Sequence, residues 1–114
     1  MVQLTMQIPD DLAVRIQPMS QWIPTILRIS LMGFRTTAIS TATEFVNFLS
    51  LNPTPPELLN YHVSEHSQQR LRRLLSLHEN GLLSETEKAE LDELEQLEHL
   101  VVMLKLQFAQ NKQP

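Results

Sequence analysis

From Leu91 onward the apolar residues Leu91, Leu94, Leu97, Val101, Leu104 and Phe108 step by three and four, which puts a heptad seam along one face of a helix. A stripe of that kind has to be buried against something. It belongs to a hairpin over residues 63–108. Ser64 is placed to cap a first helix over 64–79, in which Leu71, Leu74, Leu75 and His78 recur at helical spacing. Asn80-Gly81 stops that helix, because glycine accepts the left-handed conformation needed just past a helix end. Ser84-Glu85-Thr86-Glu87 reads as a capping box opening a long helix over 85–110. The seam outruns the first helix. It can pack on the hairpin partner and the N-terminal half, or part of it can meet another chain. Leu94, Leu97, Val101, Leu104 and Phe108 are therefore the candidate partner-binding residues.

The other end of the chain has a different period. Val2, Leu4, Met6 and Ile8 are apolar, and Gln3, Thr5 and Gln7 between them are polar. Period two predicts a β-strand with one wet face. The sequence offers no second strand to complete its ladder, so the reading pairs it with another copy, as an intermolecular ribbon in a homodimer. The expected fold is thus mostly α, with one N-terminal strand, short helices and the C-terminal hairpin.

Between these ends, Pro9-Asp10-Asp11 opens a short helix over 10–17, closed by Pro18. A second helix starts near Ser20 or Ile23, carries Ile26, Leu27 and Leu31, and ends at Gly33-Phe34. Trp22 reads as a core anchor. Ile39, Ala42, Phe45, Val46 and Leu49 mark a third helix, and Thr54-Pro55-Pro56-Glu57 caps a short fourth one. Residues 1–51 then form a strand-and-helix dimerisation module, and 52–114 a hairpin segment for a partner.

Composition narrows the function classes. The 114 residues carry a formal net charge of −4, so no global basic field draws nucleic acid. There is no cysteine, hence no disulfide frame and no thiolate chemistry. No basic stretch followed by an apolar run marks a signal peptide, and no run approaches a membrane span, so a cytoplasmic protein without membrane contact is the expectation. His62 and His66 are four apart, but His62 precedes the expected cap Ser64, so they do not share a helical face and no metal site is assigned. The acids between Glu85 and Glu98 read as a solvated helix face. Arg70, Arg72 and Arg73 fall opposite Glu90 to Glu93 when the hairpin folds, which favours ion pairs over a nucleic-acid patch. No nucleophile–base set, phosphate loop or cofactor motif is present, so no enzyme activity and no cofactor is expected.

Val2-Gln-Leu-Thr-Met-Gln-Ile-Pro-Asp-Asp-Leu-Ala resembles the opening of ribbon-helix-helix antitoxins. That resemblance implies a ribbon in the major groove of operator DNA, with Gln3, Thr5 and Gln7 as the base-reading residues. Their other reading is the solvent side of a dimer strand. Asn52-Pro-Thr-Pro-Pro-Glu-Leu-Leu, Glu79-Asn-Gly-Leu-Leu-Ser, Glu90-Leu-Asp-Glu-Leu and Leu97-Glu-His-Leu-Val resemble a family of small, cyanobacterial-type, antitoxin-like proteins. The resemblance implies a dimerising N-terminus and a C-terminal helical segment that holds a partner toxin. A helical scaffold with no DNA role is the alternative.

Overall fold

A computed structural model describes residues 1–111, and they form helices and connecting loops. In chain order these are α1 (Asp10–Ile16), a 3-10 stretch (Gln17–Trp22), α2 (Ile23–Ser30), α3 (Ala38–Ser50), α4 (Pro55–Leu59), α5 (Glu65–Glu79) and α6 (Glu85–Asn111).

The N-terminal strand is not there. Among the described residues there is no strand and no sheet. Residues 1–9 form no regular element, and Val2, Leu4 and Met6 are exposed. Alternation meets only half of what a strand requires. The other half is a neighbouring backbone to close the ladder, and no described segment supplies one. The intermolecular ribbon expected from the alternation falls with the strand.

The helix ends follow from local chemistry. Thr54 and Glu57 form a reciprocal capping box at α4. Ser64 Oγ accepts from the Ser67 N–H at α5, and Ser84 exchanges hydrogen bonds with Glu87 at the start of α6. At the hairpin turn the Leu82 N–H donates to the Leu77 carbonyl and the Gly81 N–H to the His78 carbonyl. This is a Schellman motif, and it holds Gly81 at φ 67°.

α6 is the spine. Its 27 residues make a rod of about 40 Å, which packs on α3, α4 and α5. Its first half joins a small core of Ala38, Leu74, Leu91 and Leu94. Its second half closes a larger core in which Leu97 meets Trp22, Ile29, Phe45, Leu49 and Leu58. Val101, Leu104 and Phe108 pack on the edge of that larger core. The seam is thus buried on the chain's own helices, and the larger core draws on both sides of position 51. In contrast, α1 buries no residue. The radius of gyration is 16.3 Å, against about 13 Å for a compact chain of roughly this length. The long rod and the unpacked N-terminal arm account for the excess.

Candidate protein-binding surfaces

Three carboxylates tie the helices together and so fix which surfaces stay open. Arg70 on α5 binds Glu90 on α6 through two parallel bonds, Nε to Oε2 at 2.9 Å and Nη2 to Oε1 at 2.8 Å. Glu90 is buried, and the guanidinium holds its carboxyl below the ordinary range despite that burial. Glu93 accepts from the Arg35 N–H at 3.0 Å, the Thr36 N–H at 3.2 Å and the Thr36 hydroxyl at 2.7 Å. Thr36 Oγ1 in turn accepts from the Ala38 N–H at 3.1 Å, so an α6 carboxylate anchors the start of α3. Glu44 on α3 accepts from the Ser64 N–H, the Ser64 hydroxyl and the Ser67 hydroxyl at the start of α5. Burial opposes ionisation of Glu44, but these donors outweigh it and lower its pKa. The expected pairing of the arginines with Glu90 to Glu93 is realised by Arg70, while Arg72 and Arg73 remain exposed. Glu44 did not stand out in the sequence, and Glu93, expected opposite the α5 arginines, instead meets Arg35 and Thr36, since these partners lie 20 to 58 residues away.

The residues assigned to a partner lie mostly inward. Leu94 and Leu97 are buried, and Val101, Leu104 and Phe108 are half-buried against the core. The open apolar residues of α6 are their neighbours. Val102 and Leu106 are 46% and 50% exposed, and Met103 lies beside them. Residues 100–109 carry apolar side chains almost all round the helix, so packing one side leaves the other bare.

Between α2 and this end of α6 runs a groove of about 980 Å³. Trp22 and Phe108 form its floor, with ring centroids 5.1 Å apart. The Trp22 indole N–H donates to the Pro53 carbonyl at 3.1 Å, so the ring is fixed from below. Pro24 and Met32 line the α2 side, and Leu100 and Met103 the α6 side. Arg28 is the one Lys, Arg, Asp or Glu in the lining, and Met1 of the same chain also lines the groove. On the other flank of α6, Lys105 Nζ donates to the Tyr61 carbonyl at 2.7 Å and pins the rod to the loop after α4.

Gln3, Thr5 and Gln7 lie on the exposed N-terminal segment, and no regular element sets their spacing. His62 sits in the loop before α5 and His66 on its first turn, as the capping argument placed them. Among the described residues no three His, Cys, Asp or Glu side chains cluster as a metal site would require. No described helix is long and apolar enough to cross a membrane. No family model, curated protein or solved structure matches this chain.

Proposed function

We propose that the chain is an antitoxin-like adaptor whose work is to hold a partner protein through the outer face of α6. The observation that carries this reading is the apolar end of the rod. Val102 and Leu106 stay exposed beside a core already closed by Leu97, Val101 and Leu104, with Leu106 also lining the α2–α6 groove, and exposed side chains of that type on a fixed helix suit a partner's groove. The partner class rests on the resemblance of the α4–α6 phrases to antitoxin-like proteins, with a toxic enzyme as the partner.

The test is co-expression with the product of the adjacent reading frame. The wild-type chain should form a complex of defined mass and relieve growth arrest caused by that product. Val102→Glu and Leu106→Glu should lose both effects while keeping the wild-type melting temperature, since neither side chain is in the core. A complex that survives both substitutions refutes this use of α6.

Operator binding has weaker support. Gln3, Thr5 and Gln7 sit on a segment without the ladder that would space them against base pairs, and the net charge of −4 opposes phosphate contact. A titration of upstream DNA with Gln3→Ala and Gln7→Ala tests it. A helical scaffold that assembles with a non-toxic partner would show the same complex without the growth effect.

A further inference from the structure

The structure leaves two apolar features of one chain unfilled, the arm before α1 and the groove between α2 and α6. We infer that residues 1–9 of one copy lie in that groove on a second copy, so that two chains exchange arms. This builds on the reading of the chain as an assembly protein and names a second partner, the chain itself.

The fit is chemical. An extended segment points alternate side chains to opposite sides. Val2, Leu4, Met6 and Ile8 would face the Trp22–Phe108 floor, and Gln3, Thr5 and Gln7 would face water. The segment's backbone N–H and C=O groups pair with no strand, and they need partners once covered. Gln96 and Gln107 line the groove, and each side-chain amide offers both a donor and an acceptor.

Charge agrees. Asp10 and Asp11 follow the arm directly, and the groove lining carries Arg28 and no carboxylate. Among the described residues the ion pairs are Arg70–Glu90 and Lys88–Glu85, and none of them involves Asp10, Asp11 or Arg28. The chain's own arm does not fill its own groove. Met1 reaches the rim, while Val2, Leu4 and Met6 stay in solvent.

The chain contains no cysteine, so single cysteines report cleanly. Light scattering of the full chain should give twice 13.2 kDa. Deleting residues 1–8 should halve that mass with helical circular dichroism unchanged. Leu4→Cys and Met103→Cys chains, both altered at exposed positions, should form a disulfide-linked dimer when mixed and oxidised, and little of it when oxidised apart. A monomeric wild type overturns the inference, as does a dimer that survives the deletion. So does a mixture that cross-links no better than Leu4→Cys alone, which would mean that arm meets arm. A monomer that still captures its partner protein would remove arm exchange and leave the adaptor reading standing. A wild-type dimer that captures no partner protein would do the reverse.

Discussion

Replacing Glu93 with glutamine removes one charge and leaves the shape of the side chain. In the wild type that carboxylate takes three hydrogen bonds from Arg35 and Thr36, and through Thr36 it supports the first turn of α3. Hydrogen bonds to a charged acceptor contribute about 1.5–3 kcal/mol and the loss of a helix cap costs about 1 kcal/mol, but Glu93 is half-exposed and the glutamine keeps one acceptor oxygen. The expected loss at neutral pH is therefore about 1–2 kcal/mol. At about 4 °C per kcal/mol for a domain of this length, the melting temperature should fall by ~4–8 °C. The pH dependence identifies the cause. Partial burial alone would raise the Glu93 pKa, yet the Thr36 and Arg35 donors lower it below its ordinary 4.5. A carboxyl whose folded pKa is depressed contributes stability that is present above the unfolded pKa and lost as pH falls through the folded value. Wild type and Glu93→Gln should therefore differ at neutral pH and converge in acid. Thermal unfolding followed by circular dichroism, at neutral pH and below the folded pKa, reads both quantities. A gap that persists unchanged in acid, or no gap at neutral pH, would refute the argument.

Two further outcomes follow from the packing. Leu97 is 3% exposed at the centre of the larger core, so Leu97→Ala should cost about 2–5 kcal/mol in chemical denaturation. A loss below that range would mean that the seam is less tightly packed than its burial indicates. Gly81→Ala meets no atom within 4 Å but forces alanine to φ 67°, so it should destabilise by about 1 kcal/mol from backbone strain alone. An unchanged midpoint would show that the Schellman turn can relax.

What was legible in the sequence was mostly what is local. Asn80-Gly81, Ser84 with Glu87, and Thr54 with Glu57 each act within a few residues, and each marks a helix end in the structure. Trp22 and the α6 seam showed themselves as apolar residues that must be covered. What covers the seam was not legible, because a stripe records its own hydrophobicity and not its partner. The N-terminal segment shows the same limit in the other direction. Its alternation is local, but a strand depends on a ladder that the alternation cannot provide. The Glu44 and Glu93 clasps and the α2–α6 groove depend on which helices cross, so no spacing in the sequence announces them.

The chain has a single tryptophan, and it lies under the end of α6. Its ring is 1% exposed, with Phe108 against it and its N–H held by Pro53. The molecule thus carries its own optical gauge of whether the last turns of the rod are seated. Lifting α6 would wet the indole and move its emission to the red, while filling the neighbouring groove would leave it dry. Departure of the rod would therefore move one intrinsic signal that arrival of an occupant leaves in place, without any label.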